Sequence, residues 1–115
     1  MDDRLAYDLA TDFDPTERIR ADTDGLAEAA AGNLGAAVPG CPGWSVADLA
    51  WHLLEVQYFW SWVVEGRRQD TDGYAEPPRP PDAELPDALR AGAGRLVEVL
   101  RAADPAEPVF TWASR

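Results

Sequence analysis

The strongest hydrophobic pattern in the chain runs from residue 46 to residue 64, where apolar side chains recur at helical spacing. Projected at about 100° per residue, the segment has two apolar stripes and a narrow polar strip that holds Gln57 and Ser61. A helix that is apolar on most sides needs several neighbours, or a partner, to cover it. The pattern therefore predicts a central helix over about residues 45–65. The stripes are Leu49, Leu53, Val56, Trp60 and Val63, and Trp51, Tyr58 and Trp62 with Glu55 beside them.

The start of this helix is marked by local signals. The preceding residues 39–43 read PGCPG, and two prolines with two glycines interrupt any regular element. Ser45 is the predicted N-cap, and Asp48 is its carboxylate partner in a capping box. Asp48 also lies where the helix dipole favours an anion.

Two further helices are predicted, over about residues 14–35 and 84–103. Asp14 can cap the first helix, with Pro15 at its first position and Glu17 completing a capping box. The predicted apolar faces are Ile19, Leu26, Ala29, Ala30 and Leu34 in the first helix, and Leu85, Leu89, Leu96, Val99 and Leu100 in the last. The fold class is therefore all-α.

Residues 66–81 join the second and third helices and end in the run PPRPP at 77–81. Such a run favours polyproline geometry and predicts an extended surface connection. A proline-rich ligand for another protein is the less common alternative.

Composition limits the function classes. A chain of 115 residues is expected to form one domain, 1–115. Its net charge of −11 argues against nucleic acid or an anionic membrane as a partner. The single Cys excludes an intrachain disulfide, and no signal-peptide core or membrane-length apolar run is present. We therefore expect a cytoplasmic protein.

His52, the only histidine, is the main candidate for chemistry. In projection it lies at the seam between the apolar stripes, so it is predicted to point into the packed interior. One interpretation is a buried, hydrogen-bonded core histidine, which is the more common case. The other is a metal ligand whose second ring nitrogen is held by Glu55, one helical turn away.

The remaining reactive side chains give weaker signals. Cys41 lacks a base to activate it unless His52 reaches it, so a packed turn residue is expected rather than a nucleophile. Four carboxylates in the first part of the chain are predicted to form a solvated face: Asp12, Asp14, Asp22 and Asp24.

The string CPGWSVADLAWHL at residues 41–53 is distinctive. It follows a capped helix and precedes a third helix and the segment PVFTW at 108–112. This arrangement resembles the N-terminal domain of the mycothiol-dependent maleylpyruvate isomerase family, within the DinB-like metal-binding superfamily. The likeness covers nearly the whole chain. It implies a DinB-like up-down helix bundle, incomplete here because three of four helices are expected.

The resemblance also implies a site. His52 would be one of three ligands of a divalent metal, commonly zinc, and mycothiol would be the thiol cofactor. The family's other two ligands are a Glu and a His spaced i, i+4 on the fourth helix, for which PVFTW resembles the lead-in. A catalytic zinc usually needs three protein ligands, and this sequence has one His.

Three functions are compatible with these observations. The first is the N-terminal part of a metal-dependent, mycothiol-linked isomerase or transferase, truncated before the fourth helix and inactive alone. The second is a non-catalytic helical module for protein interaction or oligomerisation. The third is a truncated product without activity. An apolar stripe left uncovered predicts self-association, or cover by a missing helix or a partner chain.

Overall fold

The structure is a computed structural model that describes residues 14–104 and 106. It contains helices α1 (Pro15–Ala31), α2 (Val46–Glu65) and α3 (Leu85–Ala102), with a short 3-10 turn at Asp82–Glu84 before α3. Across these residues the only extended pairing is an isolated antiparallel bridge between Ala37 and Ser45. The all-α prediction is confirmed.

Helix α3 is the centre of the domain. It packs along both α1 and α2, which make few contacts with each other. Near the end of α3, Arg101 donates from Nε to Thr16 Oγ1 (3.0 Å) and from Nη2 to Glu17 Oε1 (2.9 Å) at the start of α1. Arg90, earlier in α3, lies 3.7 Å from the carboxylate of Asp24, further along α1. Helices α1 and α3 are therefore antiparallel.

Helices α2 and α3 run in the same direction. Gln57 Nε2 donates to the carbonyl of Leu89 (3.3 Å), and Glu65, at the end of α2, pairs with Arg95 further along α3. The connection 66–81 makes this possible, because it returns the chain along the length of α2 before α3 begins. The three helices therefore do not alternate strictly up and down.

The local signals around α2 are confirmed. Ser45 Oγ accepts from the Asp48 N–H (3.1 Å), and Asp48 Oδ2 accepts from the Ser45 N–H (2.9 Å), which completes the capping box. The preceding turn is closed by Val38 N–H donating to the Trp44 carbonyl (3.0 Å). Gly43 has a φ of 84°, a left-handed conformation that favours glycine.

Helix α1 begins at the predicted residue, but Glu17 Oε1 accepts from Arg101 instead of completing the predicted capping box, and the helix ends earlier than predicted. Asp14 is the N-cap, accepting from the Thr16 N–H (3.0 Å), and Pro15 follows. The helix stops at Ala31, four residues before the predicted end at 35. It stops there because the side chain of Asn33 folds back on the last turn, where its Nδ2 donates to the Ala29 carbonyl (2.9 Å).

The core consists mainly of small side chains, and its membership differs in part from the predicted faces. Leu85 and Leu89 are buried as predicted, but Ala29 is exposed while Ala27 is buried. The buried hydrophobic residues are Ala27, Ala30, Ala47, Ala50, Leu54, Val63, Leu85, Leu89, Ala93 and Val97.

The predicted polar strip of α2 is also buried. Gln57 and Ser61 face α3 rather than solvent. They share this side of α2 with Ala47 and Ala50, whose small side chains let the two helices approach closely. At Gly92 on α3, a Cβ would lie only 2.1 Å from Gln57 Oε1.

The connection is fixed at its second end by Arg79. Its guanidinium donates to Asp48 Oδ1 at the start of α2 (3.0 Å) and to Asp82 Oδ1 (3.3 Å). Of the predicted solvated carboxylates, Asp14, Asp22 and Asp24 are exposed. Asp12 and the segment 108–112 lie outside the described residues, so the predictions about them stay predictions. No helix in the part of the chain that the structure describes is long and apolar enough to cross a membrane.

Candidate functional site at His52

His52 lies on the second turn of α2 and faces outward. Its side chain is 54% exposed, so the prediction that it points into the packed interior is wrong. The reason is the rotation of α2 about its axis. The helix presents Ala47, Ala50 and Ser61 to α3, which leaves His52 on another side.

Among the described residues, Trp44 and Glu55 lie beside the imidazole. The Trp44 ring meets it edge-on, with centroids 5.7 Å apart and an interplanar angle of 70°. Glu55 Oε1 lies 3.9 Å from His52 Nδ1. That separation is within ion-pair range but too long for a hydrogen bond. The predicted neighbour, one turn along the helix, is therefore beside the ring.

Glu55 also meets a carboxyl group from the connection. A side-chain hydrogen bond with Glu55 raises the pKa of Glu76, and desolvation and the charge of Glu55 raise it further. Two carboxyl groups in contact favour holding one proton between them. The sequence could not reveal this pair, because it depends on the path of residues 66–81.

Tyr74 extends this region from the connection towards the aromatic residues of α2. Its ring meets Phe59 edge-on at 5.2 Å and Trp62 at 5.1 Å between centroids. Burial raises the pKa of the Tyr74 phenol, and the negative charges of Glu76 and Glu55 add to the effect. Tyr74 therefore stays protonated at neutral pH.

The side of α2 that carries His52 is also apolar. The exposed large hydrophobic residues of the described chain are Trp44, which contacts the imidazole, and Val56, one helical turn after His52, at 38% and 39%. We call Trp44, His52, Glu55 and Val56 the His52 face. It combines an accessible imidazole and a carboxylate with uncovered apolar surface.

The described residues do not by themselves fit a catalytic zinc centre. Among residues 14–104 and 106, no three His, Cys, Asp or Glu side chains come together in a group that could hold a metal ion. His52 and Glu55 supply two candidate ligands, and Glu55 is already engaged with Glu76. Three protein ligands are the usual minimum for catalytic zinc.

Cys41 belongs to the turn before α2. It is a free, partly buried cysteine whose N–H donates to the Val38 carbonyl (3.0 Å) and whose carbonyl accepts from the Trp44 N–H (3.0 Å). These backbone bonds give the residue a structural part in the turn.

The fold and this face define a class of protein: an all-helical domain that places one histidine on an open side of its capped second helix. Over residues 16–115 the chain matches the family described as the mycothiol maleylpyruvate isomerase N-terminal domain, and it belongs to that family. No curated protein and no solved structure matches the chain.

Proposed function

We propose that this domain contributes His52 as one ligand of a divalent-metal site, zinc by analogy with its family, in a mycothiol-linked isomerase or transferase. The remaining ligands would come from outside the described residues. The observation that carries the proposal is the accessible imidazole of His52 beside the Glu55 carboxylate. A buried histidine at this position could not meet a ligand set brought by another segment.

The neighbours of His52 suit this role. The negative charge of Glu55 lies near Nδ1 and favours the tautomer that is protonated there, which leaves Nε2 able to bind a metal. The edge of the Trp44 ring restricts the orientation of the imidazole. One imidazole and one carboxylate would bind an ion weakly, so we propose that the domain is inactive alone.

A zinc titration followed by the His52 imidazole resonances tests this role, because the chain has no other histidine to confuse the signal. We expect weak, saturable shifts at His52, further weakened by Glu55→Gln. Glu28→Gln, which removes an exposed carboxylate from α1, is the matched control and should leave the titration unchanged. If zinc shifts the resonances of carboxylate-rich surfaces but leaves the His52 imidazole resonances unchanged, the proposal is wrong.

Exposed Trp44 and Val56 support a second candidate, a helical module that binds a protein partner or a second copy through the His52 face. Sedimentation should then show self-association that Val56→Glu reduces and Ala29→Glu, at an exposed position of α1, does not. A monomer at all concentrations would rule out self-association through this face. Both roles are proposed for the cytoplasm, which suits a lone reduced cysteine.

A further inference from the structure

A concave site lies between α2, α3 and the connection. It is a cleft of about 460 Å³, within the size range of small-molecule pockets. Tyr58, Trp62 and Tyr74 form its aromatic walls, and Ala88, Ala91 and Gly92 of α3 form its opposite side. Neither His52 nor Glu55 lines it, so it is separate from the His52 face.

Ser61, one of the lining residues of the cleft, carries a buried hydroxyl group that lacks a partner among the described residues. Ser61 is 5% exposed, and its Oγ has no hydrogen-bond partner among the described residues. The hydroxyl of Tyr74, a second lining residue, is also buried without a partner there. An unsatisfied buried polar group costs about 1–3 kcal/mol. Two such groups around one cleft call for an explanation.

The charges at the cleft limit what it could bind. Glu65 and Arg95 are its charged lining residues, and they pair with each other. The described lining of the cleft therefore offers no unpaired charge to attract an ionic ligand. The remaining lining is apolar or aromatic, apart from the hydroxyl groups of Ser61 and the two tyrosines.

We propose that the cleft binds an uncharged aromatic alcohol or phenol, with its ring against Trp62 and the tyrosines and its hydroxyl bonded to Ser61 Oγ. Aromatic side chains contribute a large apolar contact area to such a ring. A hydroxyl can both donate and accept, so it suits an unpartnered serine. This inference does not depend on metal binding at His52.

The test compares p-cresol with toluene by following the backbone amide resonances of the full chain. Apolar burial alone would favour toluene, which is less soluble in water. The proposal predicts the reverse, with p-cresol binding more tightly and shifting the amides of Ser61, Trp62 and Gly92. Ser61→Ala should weaken p-cresol binding about fivefold, the loss expected for one neutral hydrogen bond, and leave toluene unchanged.

Ser61→Ala also separates binding from a structural role. If the hydroxyl group serves only a ligand, the ligand-free variant should be at least as stable as the parent chain, because it removes an unpartnered polar group. A destabilised variant with unchanged p-cresol affinity would show that the hydroxyl group is structural and would overturn the proposal.

A blocking variant completes the test. Ala91 is exposed at the wall of the cleft, so Ala91→Phe fills the space without burying a new side chain in the core. It should abolish p-cresol binding. Ala29→Phe makes the same change at an exposed position of α1 outside the cleft and should preserve it. Equal binding by both variants, or shifts centred on the His52 face, would contradict the assignment.

Discussion

At the scale of single residues, the start of α2 and the direction of the His52 side chain have different physical origins. Ser45 and Asp48 lie three positions apart after a turn that no helix can cross, so the start of α2 is determined locally. The direction of His52 depends instead on which side of α2 meets α3. Tertiary packing sets that side. The small residues Ala47, Ala50 and Ser61 face α3, whereas the apolar projection predicted that the large side chains would do so.

The capping box makes a direct stability prediction. Ser45→Ala removes the acceptor of the Asp48 N–H and should lower the free energy of unfolding by about 1 kcal/mol in a urea titration. Ser45→Thr keeps the oxygen and should cost less. Equal losses for the two variants would mean that packing in the turn, rather than the cap, controls the effect.

The raised pKa of Glu76 predicts that the stability of the folded chain depends on pH. Its hydrogen bond with Glu55 raises the pKa of Glu76 above 4.5 in the folded chain. The stability gained from the shared proton is therefore complete below pH 4.5 and is lost as the pH rises through the raised pKa. Thermal unfolding of Glu76→Gln should show a smaller loss of stability over that pH interval, because the amide of the introduced Gln donates to Glu55 without titrating.

Glu28→Gln is the control for this measurement, since it removes an exposed carboxylate on α1. Its pH profile should follow that of the parent chain. Asp48 acts in the opposite sense at lower pH, because the Ser45 N–H and the Arg79 guanidinium hold the pKa of Asp48 below 3.8. Its contribution is present above that value and is lost as the pH falls further. If the stability of Glu76→Gln depends on pH in the same way as that of the parent chain, Glu55 and Glu76 do not share a proton.

At the scale of elements, the contact between α2 and α3 is the feature that the hydrophobic pattern concealed. One side of α2 carries the small residues Ala47, Ala50 and Ser61, and Gly92 of α3 packs against α2. Close approach of two helices needs small side chains. The small residues on one side of α2 were therefore the sequence signal for this contact. It also explains how Gln57 is buried, with its amide donating to the Leu89 carbonyl.

The two glycines of α3 provide a matched test of that contact. Alanine is favoured over glycine in a helix by about 1 kcal/mol, so Gly94→Ala, with open space around it, should stabilise the protein. Gly92→Ala places a Cβ 2.1 Å from Gln57 Oε1 and should destabilise it instead. Urea unfolding of both variants measures the contrast. Stabilisation by both would show that Gln57 moves aside freely.

At the scale of the whole molecule, the sequence was sufficient for the fold class and the family, but not for the arrangement of the helices. The string at residues 41–53 carries the family likeness, and the match over residues 16–115 agrees with it. The parallel pairing of α2 with α3 depends on the connection 66–81, whose path is fixed by long-range bonds such as Arg79 to Asp48. Those bonds leave no periodic trace in the sequence.

We propose that His52 is one ligand of a divalent-metal site, and that the described residues around it supply too few ligands to hold zinc alone. Mass spectrometry of the purified 115-residue chain after dialysis measures its zinc content and tests this proposal. We predict well below one zinc per chain, with no difference between the parent and His52→Gln. One zinc per chain that survives dialysis and is lost in His52→Gln would show instead that this chain holds a complete site.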